Sequence, residues 1–171
     1  MASNDKTLQL SFMDKQIHIS NYGRYGLIFE FKETDKALQE AVTNALRESF
    51  CKVLLRFPYL AGKVGKTGED EDNPLEVRYP DWITPEAEAS RLVSFKDSTD
   101  SKFDDYNELA KHGFTQDKLP SEQFCPMAIA HHPGLDEGDP FGEGTTKFEN
   151  GPLPAFATQA TFIPGRLVLS L

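Results

Sequence analysis

The hydrophobic positions of this chain change period along its length, and each change marks an element. Residues Leu8–Asp14 (LQLSFMD) and Arg24–Lys32 (RYGLIFEFK) read as strands, the second with Leu27, Phe29 and Phe31 at period two on one face. Between them Asn21–Gly23 (NYG) is a turn signal. From Thr34 to Phe57 the period becomes helical. Leu38, Ala41, Val42, Ala45, Phe50, Val53, Leu54 and Phe57 form an apolar stripe, while Lys36, Glu40, Arg47, Glu48 and Lys52 lie mostly off it. Thr34 suits the N-cap, and Pro58 ends the helix.

Further on, Tyr59–Val64 (YLAGKV) reads as a short extended segment and Leu75–Tyr79 (LEVRY) as a strand, joined by a solvated acidic hairpin loop, Gly68–Asn73. That acidic run lacks the EF-hand pattern, so it is not read as a calcium site. Thr84 as cap and Pro85 at the first helical position open a short helix (TPEAEASRL). Val93–Phe95 looks like a strand and Phe103–His112 like a helix of a few turns. Between Gly113 and Pro154 prolines and glycines crowd the chain and no periodic run survives, which marks a long irregular loop. Ala155–Ile163 (AFATQATFI), with Phe156, Thr158, Ala160 and Phe162 on one face, Pro164–Gly165 as turn and Arg166–Leu171 (RLVLSL) then read as a β-hairpin. An apolar last strand needs neighbours on its faces and edges, so a further segment is expected to complete the sheet.

Composition narrows the function classes. A chain of 171 residues is the size of one domain, able to bury roughly 70% of its unfolded surface. Its mean hydropathy of -0.48 is polar, but 13 Phe supply large apolar side chains. With 18 Lys and Arg against 27 Asp and Glu the net charge is -9, and no basic cluster stands out, which argues against nucleic acid and anionic membrane. The start MASNDKTLQL has no signal pattern, and no apolar run approaches the roughly 20 residues of a membrane span, so the expected compartment is the cytoplasm. Cys51 and Cys125 show neither zinc spacing nor a disulfide framework. Cys51 is expected as a small buried hydrophobe in the long helix; Cys125 is less constrained. Trp82 is read as core or half-buried surface.

Three segments carry a family resemblance. Leu10–Gln16 (LSFMDKQ) resembles the LS-x-x-D-x opening of BAHD acyltransferases. The long helix running into Phe57–Val64 (FPYLAGKV) is similar to their hPxLAGR segment, and Pro154–Leu171 (PAFATQATFIPGRLVLSL) to their P-x-x-x-Q-x-x-F-I-x-G-G-L-x-L hairpin. The order and spacing fit the fungal, trichothecene 3-O-acetyltransferase-like branch best, with residues 113–154 as its variable loop. Arg166 departs from the pattern, where the family commonly has a second Gly.

The resemblance implies an α/β, chloramphenicol acetyltransferase-like mixed sheet with flanking helices. The chain would form the N-terminal domain, 1–171, of a two-domain acyltransferase of secondary metabolism. It implies acyl-CoA, acetyl-CoA in the first instance, as co-substrate, a small hydroxylated acceptor, and no bound cofactor. The family's catalytic H-x-x-x-D motif follows directly on the strand matching Leu167–Leu171, so no catalytic residue can be assigned in this chain, and the chain alone is expected to be inactive. His132-Pro133-Gly134-Leu135-Asp136 satisfies H-x-x-x-D literally, with His131 before it, but precedes the hairpin, lies in a Pro/Gly-rich loop and has Glu137 where the family usually has Gly. It is read as a solvated loop. Two alternatives stand beside the enzyme reading. One is a truncated, non-catalytic remnant or interaction module that needs a partner, such as a missing C-terminal half, to complete its sheet. The other is a small hydrolase or metal protein using His131, His132, Asp136 and Asp139.

Overall fold

The computed structural model describes residues 5–10, 25–32, 35–66, 75–99, 103, 106–115, 118–119, 121–126, 129 and 152–171. Eight strands are described: β1 Asp5–Gln9, β2 Gly26–Glu30, β3 Lys63–Lys66, β4 Leu75–Pro80, β5 Val93–Asp97, β6 Leu153–Pro154, β7 Thr158–Ile163 and β8 Arg166–Ser170. The helices are α1 Lys36–Arg56, α2 Pro85–Leu92, α3 Tyr106–Lys111 and the single turn α4 Ser121–Phe124, with a 3-10 turn at Pro58–Ala61. The expected turn at 21–23, the cap at Thr34, the acidic loop at 68–73 and most of the 113–154 stretch fall outside the described residues.

The strands form two four-stranded sheets, ordered β1-β4-β3-β6 and β2-β8-β7-β5. The first is antiparallel throughout. In the second, β2, β8 and β7 are antiparallel, whereas β5 runs parallel to β7, with Phe95 opposite Ala160. A parallel pair needs a long crossover, and the whole segment between β5 and β7 supplies it. The second sheet is therefore mixed, as expected.

Every residue of β7 is buried, the mark of a central strand covered on both faces. Ala160, Phe162 and Leu167 pack with Phe31, Val42, Leu46 and Leu169, so α1 covers this face. Phe124, Ile163 and Val168 pack with Ile28, Phe103 and Leu119 on the other. A separate cluster, Leu54, Ala61, Ala89 and Leu92, joins α1, the 3-10 turn and α2.

Several sequence expectations need correction. The first strand lies at Asp5–Gln9 rather than beginning at Leu8; positions 11–14 fall outside the described residues. The long helix is confirmed at Lys36–Arg56, but Asp35 caps it, its carboxylate accepting from the Ala37 amide at 2.9 Å. Its buried positions are Gln39, Thr43 and Leu54, while Leu38, Ala41, Ala45 and Val53 of the expected stripe are exposed. The helix packs against sheet and α2 on different sides, so its buried arc is wider than, and rotated from, one apolar stripe. Thr43 tolerates burial because its hydroxyl donates to the Gln39 carbonyl one turn back, at 2.9 Å.

Tyr59–Ala61 is a 3-10 turn rather than extended chain, with the strand beginning only at Lys63. Thr84 stands at the N-cap of α2 without a side-chain cap bond; Pro85, the acids Glu86 and Glu88 in the first turn, and Arg91 in the last suit the helix ends instead. Trp82 is 79% exposed, in the bend that follows Pro80, rather than core or half-buried. The apolar last strand finds both edges inside the chain, between β2 and β7.

The LAG segment has a packing reason. Gly62 is buried against β4, and a Cβ there would stand 2.5 Å from the Arg78 carbonyl oxygen, 2.9 Å from the Tyr59 carbonyl oxygen and 2.9 Å from the Tyr79 Cβ. Two of these neighbours are backbone and cannot swing away. Replacing Gly62 by Ala is expected to cost about 1–3 kcal/mol through overpacking. Gly26, with nothing within 4 Å of its Cβ position, is the control: Gly26→Ala should leave a urea midpoint nearly in place while Gly62→Ala lowers it.

Candidate active-site framework

In the family resemblance the hairpin β7–β8 leads into the catalytic motif, and its geometry follows from local sequence. Pro164 and Gly165 turn the chain; Gly165 has φ of 75°, a conformation that costs glycine little and other residues more. β2 binds the returning strand over its full length, from the Phe31 amide donating to the Gly165 carbonyl (2.9 Å) to a reciprocal pair between Tyr25 and Leu171 (3.1 and 2.8 Å). Pairing is thus continuous to Leu171.

The two faces of this hairpin differ in chemistry. Register places Ala160, Phe162, Leu167 and Leu169 toward α1, and Gln159, Thr161, Arg166, Val168 and Ser170 toward the opposite face. Several polar groups there and along the adjoining edge are hydrogen-bonded. The Thr158 hydroxyl donates to the Ser170 carbonyl at 2.6 Å, and the Ser94 hydroxyl to the Thr158 carbonyl at 3.0 Å. Gln159 Nε2 donates to the Gln123 carbonyl at 2.9 Å and to Thr161 Oγ1 at 3.0 Å. Arg166 is fully buried, its guanidinium carbon 5.7 Å from the centroid of the Tyr106 ring. The position that departs from the family pattern therefore carries a cation set against an aromatic face.

From Thr158 to Leu171 the sequence contains no His, Cys, Asp or Glu. Arg166 is its one strongly charged side chain, and a guanidinium does not give up its proton in proteins. The hairpin can therefore position groups but cannot take a proton from an alcohol. The cysteines do not supply a nucleophile either. Burial first, and then the carboxylates of Glu86 and Glu48, push the Cys51 thiol up, away from the thiolate form. Cys51 is half-buried beside Leu54, Ala61, Ala89 and Leu92, in keeping with its expected packing role, and Cys125 is buried. Asp97 is held below its ordinary value by the hydroxyl and amide of Thr99, at 2.7 and 3.1 Å, a local turn rather than a site.

His131, His132, Asp136 and Asp139 lie outside the described residues. Among the described residues no group of three or more His, Cys, Asp or Glu is placed to hold a metal ion, and no helix is long and apolar enough to cross a membrane. Sequence reasoning missed the polar network of Lys96, Gln123, Gln159 and Thr161. Its one visible signal was the glutamine of the hairpin motif, a long polar side chain in a strand that also carries Ala160, Phe162 and Ile163.

No curated protein matches the chain. Among solved structures, F. sporotrichioides TRI101 complexed with coenzyme A and T-2 is 20% identical with a TM-score of 0.66, over 96% of this chain and 35% of that one. F. graminearum TRI101 complexed with ethyl coenzyme A is 19% identical with a TM-score of 0.60, over 97% and 34% respectively. These likenesses establish the fold, and this chain spans about a third of the length of those proteins. The family model for the trichothecene 3-O-acetyltransferase-like N-terminal domain matches residues 22–171, which takes in the α1 helix, the LAG turn and the β7–β8 hairpin. By that match the chain belongs to the trichothecene 3-O-acetyltransferase-like N-terminal domain family.

Proposed function

We propose that this chain is the N-terminal part of an acyl-CoA-dependent O-acyltransferase that moves an acyl group, acetyl in the first instance, onto a hydroxyl of a secondary metabolite. The observation that carries the proposal is the family match across residues 22–171, ending on the hairpin. Solved relatives in complex with coenzyme A, T-2 mycotoxin and deoxynivalenol suggest the substrate class: acyl-CoA and a hydroxylated, trichothecene-like acceptor. In this reading β8 delivers the chain toward the reacting groups, and the H-x-x-x-D motif belongs to residues that follow it in the longer protein. The motif's His takes the acceptor's proton, the alkoxide attacks the thioester carbonyl, and the oxyanion collapses to release CoA thiolate. The 113–154 stretch serves as a connection within the same domain, and the compartment is the cytoplasm.

The test is the transcript. Reading onward from the Leu171 codon, after allowing for an intron or frameshift, an H-x-x-x-D segment is expected within about ten codons, because a strand that delivers a catalytic turn must be followed closely by it. The product of that longer reading should release thiol from acetyl-CoA in the presence of a hydroxylated acceptor. No such segment in any frame would overturn the enzyme reading and leave a domain that works by binding.

A further inference from the structure

The turn α4 is too short to satisfy its own carbonyls. A helix leaves its last four C=O groups without intrahelical partners, and a four-residue turn consists of little else. Gln123 lies next to the buried Phe124, Cys125 and Pro126, and Phe124 packs on Ile163 and Val168 in the face of the second sheet opposite α1. An orphaned carbonyl beside that core would cost a desolvation penalty.

Two side chains from adjacent strands meet it. Gln159 on β7 donates to the Gln123 carbonyl at 2.9 Å, and Lys96 Nζ on β5 donates to the same oxygen at 3.3 Å. Lys96 stands opposite Thr161 in the parallel ladder, so the three side chains share one face. A carbonyl offers two lone pairs, and these two donors fill them. The amide of Gln159 is equally committed. Its nitrogen carries two hydrogens, one directed at the Gln123 carbonyl and the other at Thr161 Oγ1, 3.0 Å away. An acceptor-only carbonyl opposite the amide fixes which end of the side chain faces it. Gln159 is 2% exposed, and no N–H remains to give to a bound molecule.

We propose that Gln159, the glutamine of the hairpin motif, is a positioning residue: with Lys96 it latches the α4 turn onto the central strand of the second sheet and does not donate to substrate. The latch joins two stretches of chain, Ser121–Pro126 and the β7–β8 hairpin, that also meet through the apolar packing of Phe124 on Ile163 and Val168.

Cys125, two residues beyond the latched carbonyl and 3% exposed, reports on it directly. The 171-residue chain carries two cysteines, so in a Cys51→Ala background Cys125 is the single thiol. Labelling by iodoacetamide without denaturant should run about tenfold faster in Gln159→Met, which keeps the length and loses both donors. Lys96→Met should accelerate it by a smaller factor, and Lys96→Arg, which retains a donor, should restore the starting rate. Val77→Ala, in the other sheet, loosens the fold without touching the latch and should leave local labelling unchanged. Should Gln159→Met fold poorly, the Lys96 pair carries the same comparison. Equal labelling in Gln159→Met and its parent, equal acceleration by Val77→Ala, or no difference between Lys96→Met and Lys96→Arg would each overturn the latch. The labelling does not require acyl transfer, so the latch and the proposed activity fail separately.

Discussion

Incubated with acetyl-CoA and a hydroxylated acceptor, the 171-residue chain is expected to release no CoA thiol above background. An alcohol is a poor nucleophile near neutral pH until a positioned base removes its proton, and such a base is worth about 10² to 10⁴ in rate. The strand that would present the base, β8, and its partner β7 carry no group able to act as one, since Arg166 is permanently charged and fully buried. The cysteines are no substitute: Cys51 is pushed away from thiolate and Cys125 is buried. The His131–Asp136 segment is the literal H-x-x-x-D match within the sequence, and the variant that isolates it is His132→Ala. It is expected to leave the null result unchanged. Turnover that disappears in His132→Ala would transfer catalysis to that loop and remove the reason for seeking a base beyond Leu171.

Phe162→Ala should be the most damaging single truncation in the second sheet. The ring is fully buried in the central strand and meets Phe31 and Phe95 edge-on, with centroids 5.0 and 5.4 Å away. Removing a buried Phe side chain costs about 3–5 kcal/mol in lost transfer energy and cavity formation. Each aromatic pair adds about 0.5–1.5 kcal/mol. Against a net stability of about 5–15 kcal/mol for a typical domain, this is enough to abolish or nearly abolish cooperative unfolding at room temperature. Phe95→Ala removes one of the same pairs from an edge strand where the ring is already partly solvated, and its cost should be clearly smaller. Urea titration followed by far-ultraviolet circular dichroism separates the two. Similar midpoints for both variants would mean that the core of this sheet is centred elsewhere.

Much of the local structure was legible because short-range rules govern it. The helix over Lys36–Arg56, the helix opened by Pro85 and the hairpin turning at Pro164–Gly165 each follow from a period or a turn residue acting over a few positions. The LAG and hairpin motifs were equally visible as patterns, though the reason for Gly62 was not. That glycine answers to the Arg78 carbonyl on another strand, a contact no local window contains. Gln159 is a similar case: its place in the motif was readable, whereas its attachment to Gln123 joins residues 36 positions apart.

The sequence by itself determined that the chain is an α/β domain with one dominant helix and a C-terminal hairpin, and through its motifs it determined the family. Periodicity and turn chemistry are properties of neighbouring residues and survive without knowledge of the fold. Tertiary structure alone decided that β5 lies parallel to β7, that β8 sits between β2 and β7, and that α1 buries Gln39 and Thr43 while Leu38 and Ala41 face outward. Those outcomes depend on which surfaces meet, and a helix held between a sheet and a second helix buries whatever side chains lie in that arc, provided that the polar ones, like Thr43, can satisfy themselves within it.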